Sequence, residues 1–255
     1  MPILAYHMVE PGFDLAITRV HPRRFSRQID LALQHGFSFV TLDEYVQNPS
    51  PDRIALTFDD GYASIYRYAF PILKSHNIQA TVFVIAGYIG QYDAWDVNFG
   101  GIRFPHLSWP QIKALHQAGW QIESHSLYHN DLSRIESDLC LRELLLSKQL
   151  LEKRLQSRVR YISFPFGNSS NRVIELCRQA GYEGGVVMSR GSYRANETFC
   201  RQRFGIYYFD TQRTFLHKIL AKYEKSYKFM QRTLDVCSDG TVLVKHGIRA
   251  LKDSA

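Results

Sequence analysis

The sequence predicts a single-domain α/β barrel of roughly seven or eight strand and helix units, closed or with a gap. Three observations carry that expectation. Short β-rich runs alternate with longer helical patterns along the whole chain. The 255 residues suit one large core rather than two. Polar clusters stand directly after several strand runs, where a parallel barrel keeps its chemistry.

Taken in order, "PILAY" near residue 4 is the first strand and runs into His7. A helical stretch follows and ends at Gly36, a C-cap residue, before the strand "FSFV" near residue 38. "IALTF" at 54–58 and "ATVFVIA" at 80–86 are apolar enough for buried parallel strands. Ser108 with Gln111 has capping-box spacing, Gly119 ends that helix, and "WQIES" at 120–124 is the next strand. Ser133 with Glu136 repeats the capping spacing and opens a helix to about Leu155, in which Leu139, Leu144, Leu151 and Leu155 read as core packing. "YISF" at 161–164, a helix ending at Gly181, and "GGVVM" at 184–188 continue the pattern. Residues 189–202 read as a long loop, and "TVLVK" at 241–245 is a late strand running into His246. The span 1–255 is read as one catalytic domain, with 230–255 its least defined part.

Composition excludes more than it identifies. An apolar share of 45% and a charged share of 22% describe a globular chain, neither disordered nor fibrous. The net charge of +7 is uneven: residues 1–141 hold 10 basic and 14 acidic side chains, and residues 142–255 hold 21 and 10. No segment packs five or six basic residues together, so the excess reads as solvated helix faces, and nucleic acid is not expected as a partner. Cys140, Cys177, Cys200 and Cys237 lack zinc-knuckle or scaffold spacing and read as buried thiols. The N-terminus "MPILAYHMVEPG" shows no export-signal pattern, and no apolar run reaches bilayer length.

The chemistry gathers after three strands. His125 and His129, four residues apart, can turn two imidazoles towards one metal ion. One carboxylate from another strand end completes a two-histidine, one-acid set, which leaves coordination positions open for water and substrate. The pair Asp59 and Asp60 ends "IALTF". Alone, "DDG" reads as a solvated β-turn. Beside two histidines, one aspartate can hold a cation, and that cation lets its neighbour stay ionised as a base. Gly61 permits the sharp turn that brings both side chains to one cleft.

"TFDDGY", "HSLYH" and "FPFG", in this order, resemble the first three motifs of the polysaccharide deacetylases of carbohydrate esterase family 4, the nodulation-protein-type domain. "ILAYHMV", "RFSRQIDLALQHGFSFVTLDEY", "PILKSHNIQATVFV" and "ALHQAGWQIESHS" are similar to the bacterial branch that deacetylates poly-N-acetylglucosamine. The resemblance implies a distorted (β/α)7 barrel holding one divalent metal ion on Asp60, His125 and His129, zinc first, with nickel, cobalt or iron as alternatives. It implies Asp59 as catalytic base and the backbone N–H of Phe166 as oxyanion donor. Where the third motif commonly has an arginine, this chain has Ser163, and Arg203 or Arg160 is the candidate replacement. A histidine gives the proton to the departing amine: His246 suits the usual order and His7 the branch that the N-terminus resembles, so His7 is favoured over His246. Trp95, Trp109, Tyr128 and Phe166 are candidates for sugar stacking or for packing. His21, His35, His76, His106, His116 and His217 read as structural.

The expected partner is a carbohydrate, and the basic C-terminal half fits an acidic or envelope polymer. No export signal is read in the sequence, although the enzymes it resembles usually act outside the cytoplasm. Competing readings are hydrolysis of another amide or ester, such as acetylated xylan or a formylated lipid-linked sugar, and a non-catalytic glycan-binding homologue. A free Asp59 counts against pure binding. A non-haem iron oxygenase would share the donor set, but the alternating β/α pattern opposes it.

Overall fold

Most strands are short, apolar and buried, and seven of them arrange as a ring. The computed structural model describes residues 2–12, 17–93, 103–188 and 199–220. Strand β1 (Ile3–Tyr6) is followed by a small parallel ribbon of β2 (Met8–Val9) and β3 (Arg19–Val20). Helix α1 (Pro22–Gln34), β4 (Ser38–Val40), α2 (Leu42–Gln47) and β5 (Arg53–Phe58) come next. A π-helical turn, Ile65–Ala69, runs into α3 (Phe70–Ser75) ahead of β6 (Thr81–Val84). Then follow α4 (Trp109–Gln117), β7 (Gln121–Ser124), α5 (Ser137–Leu155) and β8 (Tyr161–Ser163). The described chain ends with α6 (Asn171–Gln179), β9 (Gly184–Met188), β10 (Cys200–Gly205) and α7 (Gln212–Ile219).

Strands β1, β5, β6, β7, β8, β9 and β10 close a seven-stranded parallel barrel, with β1 bonded to β5 (Leu4↔Leu56) and to β10 (Leu4↔Phe204). Strand β4 stands outside the ring on the first half of β5 (Phe39↔Ile54). Period-two alternation sorts the side chains into two clusters. Leu4, Leu56, Val82, Ile122 and Ile162 join the large outer cluster with helix residues such as Phe25, Leu144 and Val173. Ile3, Ala55, Phe83, Tyr161 and Val186 form a second, smaller cluster. The expected single-domain, distorted (β/α)7 barrel is therefore the observed one.

The distortion has a local cause. Strands β7 and β8 share one register pair, Ser124↔Ile162. Before that pair the buried Glu123 carboxyl bridges the gap, accepting the N–H groups of Arg160 (2.8 Å) and Tyr161 (2.7 Å) and the Gln121 amide (2.7 Å). Burial outweighs these donors and pushes its pKa up to about 8.

Gly36, Gly119 and Gly181 stand in left-handed backbone just after α1, α4 and α6, and Gln111 Oε1 accepts the Ser108 N–H at 2.8 Å. Three expectations need correction. The segment read as a loop to residue 202 already contains β10 from Cys200. The second capping box does not form, because Asp131 Oδ1 takes both the N–H and the hydroxyl of Ser133, and α5 starts at Ser137. Leu144 and Leu151 are core residues, but Leu139 is 45% exposed. Cys140, Cys177 and Cys200 are buried free thiols. The strand "TVLVK", His246, Trp95, Cys237 and the stretch 230–255 lie outside the described residues. Among the described residues, no helix is long and apolar enough to cross a membrane.

Candidate active site

Asp59 continues the inward alternation of β5 from Thr57, and its N–H bonds to Tyr6 O at 2.9 Å. Asp60 cannot follow the same alternation and reach the same side. The backbone solves this with φ of +65° at Asp60 and +67° at Gly61, closed by a Gly61 N–H to Asp59 O bond of 2.8 Å. The left-handed conformation is costly for an aspartate, so something must hold it. His106 Nδ1 does so, donating to Asp60 O at 2.8 Å, while its ring stacks on Tyr62 at 5.0 Å. Burial lowers the His106 pKa, which keeps the ring neutral.

The Asp59 carboxylate receives a fork from Arg203 of β10, Nη1 to Oδ1 at 2.8 Å and Nη2 to Oδ2 at 2.6 Å. Ser163 Oγ adds a bond to Oδ2 at 3.1 Å. Arg203 is held in turn by Thr57 Oγ1 (3.0 Å) and Ser163 Oγ (2.8 Å), with its guanidinium over the Phe83 ring. Burial alone would raise the Asp59 pKa; the Arg203 charge, then those of His125 and His7, together with the Arg203 hydrogen bonds, hold it well below the carboxylate range.

Across the lip from Asp59, Asp60 Oδ1 lies 3.2 Å from His125 Nε2 and 3.5 Å from His129 Nε2, and all three residues are buried. His125 Nδ1 donates to Ser163 O at 2.7 Å, so in the neutral ring Nε2 is the lone-pair nitrogen. Two imidazole nitrogens and one carboxylate oxygen, converging within 4.8 Å, are a donor set that fits a divalent metal ion with positions to spare. The loop carrying His129 is also strained: Ser126 has φ of +63° and His129 of +56°. Phe166 has φ of +58°, and its ring meets that of His129 at 4.7 Å.

His7 follows β1, half-buried, with Nδ1 enclosed and without a hydrogen-bond partner among the described residues, and its charge is among those that act on Asp59. Arg160 is elsewhere, donating to Asp43 Oδ1 at 2.7 Å, so Arg203 alone of the two candidates meets Asp59. Tyr128 is 51% exposed beside the histidines, with its ring edge on Tyr88. Trp109 opens α4 under the Arg154 guanidinium. Sequence reasoning missed the support that His106 gives Asp60, because a lone histidine in a loop carries no spacing signal.

A parallel barrel with an Asp, His, His cluster and a second, buried aspartate at the ends of its strands is the frame of a hydrolase with one potential metal site. Residues 46–185 match the family described as polysaccharide deacetylase, and the chain belongs to that family. It is 29% identical over 198 residues to YxkH of Bacillus subtilis (strain 168), whose name places it among the polysaccharide deacetylases; the match covers 75% of this chain and 66% of that one. It is 26% identical over 191 residues to a poly-beta-1,6-N-acetyl-D-glucosamine N-deacetylase of Staphylococcus aureus (strain MSSA476), covering 69% of this chain and 63% of the relative. The chain thus matches somewhat less than two thirds of the length of these relatives. Among solved structures, the Streptococcus pyogenes deacetylase PplD in complex with acetate superposes with a TM-score of 0.73 at 26% identity, covering 86% of this chain and 97% of that one.

Proposed function

We propose that this chain removes N-acetyl groups from an amino-sugar polysaccharide of the N-acetylglucosamine type. Asp60, His125 and His129 would hold one divalent metal ion, and zinc suits two imidazoles and a carboxylate best. Bound there, the ion supplies Lewis-acid polarisation of the acetyl carbonyl and acidifies a water. The observation that carries the reading is the buried Asp59, kept ionised by Arg203 beside that cluster.

Asp59 takes the proton of the attacking water. Its Oδ2 already accepts two hydrogen bonds and Oδ1 one, so Oδ1 keeps the better lone pair. Arg203 and Ser163 fix the plane of the carboxylate, as a general base requires. The backbone N–H of Phe166 stabilises the oxyanion of the tetrahedral intermediate. His7, at the lip near Asp59, gives its proton to the sugar amine as the C–N bond breaks, leaving acetate and a free amine. The named activity of the S. aureus relative supports this substrate class, and the acetate held by PplD supports the release of an acetyl group.

The test is acetate release from N-acetylglucosamine oligomers together with the metal content of the purified protein. Asp59→Asn should bind metal and lose about 10²–10⁴-fold in kcat. Full activity in that variant, or a wild type without divalent metal, would overturn the mechanism. His7→Asn should lose activity where His246→Asn keeps it; the reverse result moves the proton donor to the later histidine.

A further inference from the structure

Glu143 sits in "CLRELLL" on α5, where an acid among leucines reads as a solvated helix position, yet it is 2% exposed. Its Oε2 accepts the N–H groups of Leu127 (3.0 Å) and Tyr128 (2.9 Å), and its Oε1 accepts Asn130 Nδ2 (2.7 Å). All three donors belong to the loop that carries His129. We infer that Glu143 is the positioning residue of the metal loop, setting His129 against His125 so that both Nε2 atoms reach Asp60 Oδ1. The inference rests on the metal reading of that cluster made above.

The loop cannot hold this shape through its own preferences. Left-handed backbone at Ser126 and His129 is unfavourable for both residue types, and the local side-chain ties are short serine contacts, His129 N–H to Ser126 Oγ at 3.0 Å and Ser126 N–H to Ser124 Oγ at 3.2 Å. One side of the loop is fixed by the barrel rim, where the N–H groups of Ala86 and Gly87 bond to the carbonyls of Ser126 (3.1 Å) and Leu127 (2.8 Å). On the other, Glu143 gathers the N–H groups that point away from the rim. A carboxylate, which only accepts, matches three donors arriving together. No other residue type has that capacity at this length.

Metal-free wild type, Glu143→Ala and Glu143→Gln are titrated with Co²⁺ and followed by visible absorption, and amide hydrogen exchange is read at Leu127 and Tyr128 before metal is added. Glu143→Ala should bind Co²⁺ about 10–100-fold more weakly, with an altered spectrum, and lose protection at both amides. Glu143→Gln should recover most of the affinity, since its oxygen can meet the two backbone donors while the Asn130 amide turns to meet its NH₂. Wild-type affinity and spectrum in Glu143→Ala overturn the inference. If that variant does not fold, unprotected Leu127 and Tyr128 amides in metal-free wild type overturn it, and protected ones in wild type and Glu143→Gln support it. A wild type that takes up no Co²⁺ but protects both amides removes the metal reading and leaves the tether standing.

Discussion

Asp59 and Arg203 are joined by two charge-assisted hydrogen bonds in a water-poor lumen, and neither has an inexpensive alternative. Arg203→Met leaves the Asp59 charge buried without its cation and should cost about 3–5 kcal/mol of stability. Adding Asp59→Asn to that variant should recover most of the loss while activity stays absent. Urea unfolding of the two variants checks both statements, and a neutral Arg203→Met would show that the pair is not what keeps Asp59 charged. At this scale the sequence is most legible where chemistry demands short spacing. Asp59 with Asp60, and His125 with His129, announce themselves because the groups that act together are neighbours in the chain. Arg203 could be named as a candidate but not chosen over Arg160, since 144 residues separate it from Asp59. Glu143 and His106 act through backbone atoms of other segments, and such contacts leave no pattern in residue order.

The loop that carries His129 packs against the turn after β6, and the closeness of that contact depends on Gly87. A Cβ there would lie 2.6 Å from Leu127 O and from the Tyr128 ring. A backbone oxygen cannot rotate aside, so Gly87→Ala should displace the His129 loop. The expected outcome is metal affinity reduced by an order of magnitude or more, in the about 10–100-fold range of supporting-residue losses, with a smaller change in thermal midpoint. Calorimetric metal titration beside a melting curve measures both; unchanged affinity would mean the loop adapts. The gap between β7 and β8 makes a second prediction. The folded state binds the Glu123 proton more tightly than the unfolded chain, so this contribution to stability is complete below about pH 4.5 and is lost as pH rises to about 8. Unfolding free energy should fall through that window with a slope of up to about 1.4 kcal/mol per pH unit from this group, and Glu123→Gln should flatten it. Elements with apolar runs were readable, β10 was not. Its sequence CRQRFG carries arginines on the face that meets the lumen, and hydropathy cannot know that Asp59 neutralises one of them.

Over the whole molecule, burial protects chemistry as well as building it. Cys140 and Cys200 have thiols pushed up to about 11 by burial, and burial also raises the Cys177 thiol well above the usual range. A Cys237→Ser protein should therefore react with a thiol reagent at pH 8 only as fast as it unfolds, the three remaining thiols together. One thiol modified rapidly under native conditions would show a local opening near α5, α6 or β10.

The closure of β1 on β10 also sets an order in time. Leu4 must wait for Phe204 before the ring exists, and a contact across so much chain forms late and slowly. During synthesis, Asp59, Asp60 and both histidines emerge long before Arg203, so a nascent chain holds the Asp59 carboxylate without the cation that makes its burial tolerable. Competence therefore comes in one final act of docking, and a chain cut short of β10 would carry every motif residue of the first two loops and still be inert.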